Sequence, residues 1–412
     1  MLAALPAPLA SVLAAMPPPP PRAAPAPAPG PAPEDEGMPK TFVELRDLAS
    51  ACVRAEWPGF WAGQVPRETL APSAPVRVPK PLLPGTEAFT NPFHIDWHSL
   101  PRDAAPREVA CSFATGAIVT GQGHIWLDGK MVTAPQLMPF YVYNLHQISE
   151  QGPRLLEIHT LPLREIAAPC AVLLGHGLHV YGHFLIEMLF RVLLVRRALR
   201  GTGLRARWLL AADAPAWLLR ILAEDLDIPR EDIEFFRPLE ERVRLRQAIL
   251  PDMVHDHDGF HPFTDMLIED LLAHLAPLPE VAPAPRLFVG RRGFRNPESQ
   301  QRECRNEAAL VALAEARGFV AIAPEELPWR QQLALFRQAG TIAGLFGSGL
   351  HTALVCPAGT RVGVLGVLNT TQSEIGALRG HSMAYMTEGF SLEGQFTVPQ
   401  DAFAAFLDAL IA

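Results

Sequence analysis

The chain has 412 residues, 49% of them hydrophobic and 19% charged, which is enough for two packed domains and too apolar for disorder throughout. A net charge of −8 excludes a nucleic-acid binder that works by neutralising phosphates. The lysines, Lys40, Lys80 and Lys130, fall outside any motif, and no G-x-x-x-x-G-K-[ST] run exists, so lysine chemistry and P-loop NTPases drop out.

Five cysteines, an odd number without C-x-x-C, give neither a zinc site nor a disulfide framework and fit a reducing compartment. Met1 to Met16 is apolar but broken by Pro6 and Pro8 and lacks a basic start, so it reads as a flexible tail rather than a secretory signal. No run of 18 uncharged apolar residues occurs, so no membrane-spanning helix is expected and the protein is read as cytoplasmic.

In chain order, 13 of the 42 prolines fall in the first 40 residues, so 1–40 is expected to be a disordered Pro/Ala-rich leader. Residues 41–107 show no clear period. From Glu108 to Ile166 come short β-rich runs, with Asp128-Gly129 a hairpin cue and "MPFYVYNLHQIS" a further run. Strands then alternate with helices. "CAVLLG" is followed by a helix over 181–199, "ARWLLAA" by one over 214–224, and "RQAILP" by one over 264–276. The 181–199 helix carries charges that suit an amphipathic element.

Residues 277–286, with four prolines in ten, suggest an interdomain linker. Beyond it, "RLFVG", "FVAIAP", "TIAGLF" and "RVGVLGV" read as strands, and 306–318 and 328–340 as helices closed by glycine. Strict β-α alternation implies parallel sheets covered by helices. The expected fold is therefore α/β, with two Rossmann-like domains facing a cleft and a β-rich N-terminal part. An N-terminal domain is assigned to 41–280 and a C-terminal one to 284–412.

Four segments carry candidate chemistry. Residues 286–305 hold six arginines, and Arg291, Arg292 and Arg295 follow the carboxyl end of a strand, where such sheets bind ligands. Guanidinium forks there suit a diphosphate or carboxylate, although a solvated loop is the plain alternative. Asn306 and Glu307 open the next helix and can cap it. Gly347-Ser348-Gly349 lies between a strand and a short helix beginning at Leu350-His351-Thr352, a place where backbone N–H groups can approach a phosphate; alone it is equally a structural turn. His183 and Glu187, four apart, share a helix face, and the carboxylate can orient the imidazole as a general base; a satisfied core histidine is the bland reading. The run His255-Asp256-His257-Asp258 looks like a metal motif, but reads more simply as a polar loop.

Together, "YGHFLIEMLFRVLLV", "LFVGRRGFR…RECRNE" and "APEELPWRQQLALFRQAGTIAGLFGSGLHTALVCPAGT" resemble, in order and spacing, glycosyltransferase family 61, with its capsular-polysaccharide-type bacterial members. The resemblance covers about 170–375. The block Gly344 to Thr352 is similar to the family's glycine-rich block, with Thr352 in place of its asparagine. The resemblance implies an inverting transferase of GT-B-like arrangement, moving a sugar from a nucleotide-sugar donor to a glycan or glycolipid acceptor in polysaccharide biosynthesis. It carries over His183 and Glu187 as catalytic candidates, and Arg291, Arg302, Asn306, Glu307, Glu326 and Gln332 on the donor side. With Arg295, Gly347, Ser348, Gly349 and His351, these would hold the diphosphate without metal or cofactor. No nucleic-acid partner is expected, and peripheral membrane association stays open. Two other readings are kept: a catalytically degenerate nucleotide- or glycan-binding member of the same fold, and a metal-dependent hydrolase built on His255 to Asp258.

Overall fold

A computed structural model describes residues 67–75, 82–90, 107–121, 123–127, 130–131, 161–175, 178–238, 240–256, 259–291, 303–366, 370–391 and 394–412. The leader, the run at 138–149, Arg295 and Arg302 lie outside them. The described chain is mixed α/β, built on two large sheets.

The first sheet has nine strands. Two long strands organise it, because each offers one edge to two shorter partners. β2 (Arg107–Thr120) pairs along its first half with β1 (Arg67–Ala74) and along its second with β3 (His124–Leu127). β3 in turn pairs antiparallel with β4 (Lys130–Met131) across the Asp128-Gly129 position, so the expected strand pair forms; the turn itself is not among the described residues. β9 (Arg242–Pro251) runs antiparallel to β2 and takes β5 (Leu163–Ile166) and β6 (Cys170–Val172) in parallel on its other edge. Beyond β6 lie β7 (Arg207–Ala211) and β8 (Ile233–Phe236), all parallel. The β-rich start and the α/β part are thus one hydrogen-bonded sheet. The sequence reading shortened β9 to 246–251 and missed β8, whose "IEFF" is too short and charged to carry a period.

The helix between β6 and β7, here α1, runs from Tyr181–His183 through a π turn, Phe184–Met188, into Leu189–Leu199. It corrects the amphipathic expectation. Leu189, Phe190, Val192, Leu194 and Val195 are buried on successive faces, and so are Glu187 and Arg191, because protein packs around the helix on every side. α2 (Ala216–Arg220, continued by a π turn, Ile221–Asp225) links β7 to β8, and α3 (Thr264–His274) follows the small hairpin of β10 (His255–Asp256) and β11 (Gly259–Phe260).

The second sheet has five parallel strands. They are β12 (Arg286–Val289), β14 (Val320–Ile322), β15 (Thr341–Leu345), β16 (Arg361–Leu365) and β17 (Ser382–Met386), in the order β14-β12-β15-β16-β17. From β12 the chain moves to one side and from β15 to the other, so a crevice opens at the carboxyl ends of Val289 and Leu345. α4 (Glu307–Glu315) and α7 (Gln400–Ile411) cover the outer face; α5 (Trp329–Gln338), a 3-10 helix (Ser348–Val355) and α6 (Thr370–Arg379) cover the inner one. A two-stranded sheet of β13 (Glu303–Cys304) and β18 (Gln395–Phe396) closes the edge.

The inner face merges with the first lobe. One apolar cluster runs from Ala171 and Phe190 through Leu267 and Leu271 to Trp329, Ile342 and Tyr385. The proline-rich 277–286 segment is docked rather than free: Arg330 donates to the carbonyls of Leu275 and Pro277, Gln338 donates to that of Ala282, and Ala284 is buried.

Within the second sheet Gly344 faces Val289 across the ladder. A Cβ there would stand 2.7 Å from the Val289 carbonyl oxygen and 3.0 Å from Leu350 Cδ2. Backbone cannot yield, so Gly344→Ala is expected to destabilise the fold by about 1–3 kcal/mol, read as a lower urea midpoint.

Candidate active site

The amino end of α1 and the amino end of the 3-10 helix meet at the inter-lobe seam. Gly182 is the point of contact: a Cβ would lie 2.7 Å from His351 Nδ1 and 2.8 Å from Ser348 Oγ. A side chain at position 182 would need the His351 ring and the Ser348 hydroxyl to move aside. On either side, the Tyr181 hydroxyl donates to Gln332 Oε1 at 3.1 Å and lies 3.3 Å from Thr352 Oγ1. Burial pushes the Tyr181 phenol up to about 12. Tyr181, Phe184, Trp217 and Trp329 stack edge to face around this joint.

His183 follows directly, with Nδ1 at 2.6 Å from Glu187 Oε1. Its ring is 27% exposed while the carboxylate is 2% exposed, so the pair points from interior to surface. The spacing that suggested the pair thus brings the two side chains together, across a π turn of the kind that recurs at functional sites.

At the crevice, Arg291 follows β12 and its guanidinium lies over Gly347, whose added Cβ would be 3.2 Å from Nη2. Gly347 adopts φ 155°, which L side chains rarely do. Burial pulls the Arg291 guanidinium below its usual range, and Glu325 and Glu307 partly restore it. Glu307 Oε1 accepts the Arg291 backbone N–H, fixing the turn that aims this arginine. Gly349 packs on Pro324 and Val289.

Other expected donor-side residues sit differently. Asn306 does not cap α4. Its amide donates to the Val398 carbonyl and its Oδ1 accepts the Val398 N–H, clamping the segment before α7. Gln332 is buried, and its amide donates to the carbonyls of Pro324 and Leu327 while its oxygen serves Tyr181. Glu326 is exposed on the 3-10 turn Pro324–Glu326. Thr352 is buried against Tyr181.

Sequence reading missed a second pair. His255 Nε2 lies 2.9 Å from Glu374 Oε2, both buried, with the imidazole tilted 4.2 Å over Phe260. The "VHDHDG" run therefore supplies a core histidine rather than a solvated loop at this position; His257 and Asp258 lie outside the described residues. Nothing in "TTQSEIGALR" marked Glu374, because its partner is 119 residues away. His351 feels both His183 and His255, and burial above all, then these neighbours, push its imidazole down to about 3. Among the described residues no group of three or more His, Cys, Asp or Glu side chains is arranged to hold a metal, and no helix is long and apolar enough to cross a membrane.

These features define a mixed α/β protein with histidine–carboxylate pairs at the carboxyl edge of a parallel sheet. Residues 181–363 match the family model described as Glycosyltransferase 61, a match that reaches from the first residue of α1 into β16. No curated protein matches the chain. This match supports a glycosyltransferase, with a sugar donor and a glycan acceptor in general terms.

His351 has a testable consequence. Its folded-state value lies below the unfolded one near 6.5, so the unfolded chain binds the extra proton and stability falls as pH drops from about 6.5 towards 3. Unfolding titrations of His351→Gln are expected to show a flatter loss over that window than the parent protein. Asn306→Ala, which orphans two backbone groups, is expected to cost about 2 kcal/mol, read as a lower urea midpoint.

Proposed function

We propose that the protein is an inverting, metal-independent glycosyltransferase that moves a sugar from a nucleotide-sugar donor to a glycan or glycolipid acceptor, in a GT-B-like arrangement of two Rossmann-like lobes. The observation that carries this is the juxtaposition at Gly182: a partly exposed His183–Glu187 pair stands next to the Ser348–His351 turn, at whose start Arg291 lies over Gly347. Polysaccharide biosynthesis in the cytoplasm is the setting we favour, and the buried free thiols Cys111, Cys170, Cys304 and Cys356 suit a reducing compartment.

In the proposed step, the Glu187 carboxylate accepts a hydrogen bond from His183 Nδ1–H, which leaves the lone pair on Nε2. The acceptor hydroxyl gives its proton to Nε2 as its oxygen forms the new bond to the anomeric carbon. The bond from that carbon to the diphosphate oxygen breaks on the opposite face, and the leaving group takes the electron pair. Arg291, with Arg295 and Arg302 from the same segment, and the N–H groups of Gly347, Ser348 and Gly349 stabilise the departing charge, the work a metal does elsewhere. The neutral His351 lines the boundary between the two halves of the site. Glu307, Asn306, Glu326 and Gln332 act as supports of this cradle.

Thermal-shift measurements against nucleoside diphosphates and nucleotide sugars, with and without EDTA, test the donor site. One nucleotide class is expected to raise the melting temperature regardless of chelator. His183→Ala should keep that shift and lose turnover by about 10²–10⁴-fold, whereas Arg291→Ala should lose both. A shift without donor hydrolysis or transfer would instead identify a degenerate binding member, and no shift with any nucleotide would overturn the donor assignment.

A further inference from the structure

β6 and β7 run parallel and side by side, so the turns that follow them lie together on the edge of the first sheet that carries His183. Asp213 stands two residues past the end of β7, and His179 two residues before α1. The two side chains meet, with His179 Nε2 at 3.3 Å from Asp213 Oδ2, although they are 38% and 71% exposed. The Asp213 turn is held firmly. Ala212 donates its N–H to the Phe236 carbonyl at 2.8 Å, and Ala214 donates to that of Ala211 at 3.1 Å.

Apolar surface adjoins the pair. Val180 is 39% exposed, and its carbonyl accepts the Phe184 N–H at 3.0 Å. Trp217, half-buried in the first turn of α2, sets its ring 5.8 Å from Tyr181 and 5.7 Å from Phe184, nearly at right angles to both. An ion pair this open adds little to stability, so what the lip offers is hydrogen-bonding capacity beside an apolar face.

We propose that His179 and Asp213, with Val180 and Trp217 beside them, form the subsite that holds the acceptor sugar, and that this sugar is an uncharged pyranose. The assignment rests on the transferase reading of the His183 site. In an inverting displacement the acceptor oxygen approaches the anomeric carbon from the face opposite the departing diphosphate. With the diphosphate on Arg291 and Gly347 of the second lobe, the acceptor is presented by the first. Tyr181 ties the lip to the base: it lies two residues from His179 and two from His183, and its ring packs on Trp217.

The chemistry suits a pyranose, which carries hydroxyls around its rim and C–H groups on its faces. Among the described residues Asp213 has no ion-pair partner besides His179, which leaves Oδ1 to accept a hydroxyl. The imidazole gives or takes a further hydrogen bond, and the indole and the valine meet the C–H face. A uronic acid would set its carboxylate against that of Asp213, a like-charge contact that selects against acidic sugars.

The test is sugar binding without donor. The full chain is applied to a printed array of neutral oligosaccharides of glucose, galactose, mannose, xylose and N-acetylglucosamine, with a second set bearing uronic acids. The parent protein is expected to bind at least one neutral set and none of the acidic ones. Asp213→Ala and His179→Ala, both at exposed positions, are expected to weaken that binding about tenfold each at an unchanged melting temperature. Trp217→Leu should weaken it similarly; if that variant fails to fold, Asp213→Ala decides alone. No binding to any neutral sugar, binding confined to the acidic set, or undiminished binding by Asp213→Ala would overturn the proposal. Because no nucleotide enters the assay, that failure is separate from failure of the donor reading, which the thermal shift judges. Neutral-sugar binding lost in Asp213→Ala, in a protein that no nucleotide stabilises, would keep the sugar subsite and remove the transfer reading.

Discussion

The close approach of α1 to the 3-10 helix at Gly182 is the constraint on which the candidate site depends. It lets Ser348 and His351 of one lobe touch the first turn of a helix from the other, and so places His183 within reach of the turn above β15. Everything around it reinforces that distance. Tyr181 bridges to Gln332 and Thr352, the aromatic quartet fills the space beneath, and Gln332 ties the same joint to the Pro324 turn. A side chain at position 182 would displace the His351 ring and the Ser348 hydroxyl that meet there, misaligning groups whose chemistry depends on sub-ångström placement.

The seam is unusually rich in ionisable groups for an interior. His255–Glu374 crosses it, and beside it Arg379 on α6 reaches Asp265 of α3 at 2.8 Å and the Cys356 carbonyl. Buried charges are tolerated where partners and hydrogen bonds replace water, and each of these has one. The polar network fixes which faces of two apolar layers meet, a specificity that greasy contacts alone do not supply.

The elements most legible in the sequence were those whose pattern is local. α5, β15 and the glycine turn read correctly because an apolar period, a terminal glycine and a turn lie within a few residues of one another. The His183–Glu187 pair was legible for the same reason: helix geometry alone determines that spacing. What escaped was non-local. Glu374 matters through a histidine on another lobe, 119 residues away in the chain. Asn306 looked like a cap because cap chemistry is local, but its amide found a better two-point partner in Val398. The burial of α1 on all sides was hidden too, since a helix with three arginines and a glutamate reads as surface, whereas Arg191 and Arg196 reach the carbonyls of Leu174 and Leu226 and Arg197 reaches Asp270 of α3.

A single apolar cluster joins the two lobes, and the segment between them is pinned by Arg330 and Gln338 along α5. The halves are therefore not modules on a string. Cutting the chain near 280 would strip the inner face of the second sheet of its cover and leave Trp329, Leu333 and Leu350 in water, at a cost no surface redesign of a few residues could offset. Recombining such lobes between relatives means transplanting matched inner faces, so the two lobes are tied to evolve as a packed pair instead of being exchanged one at a time.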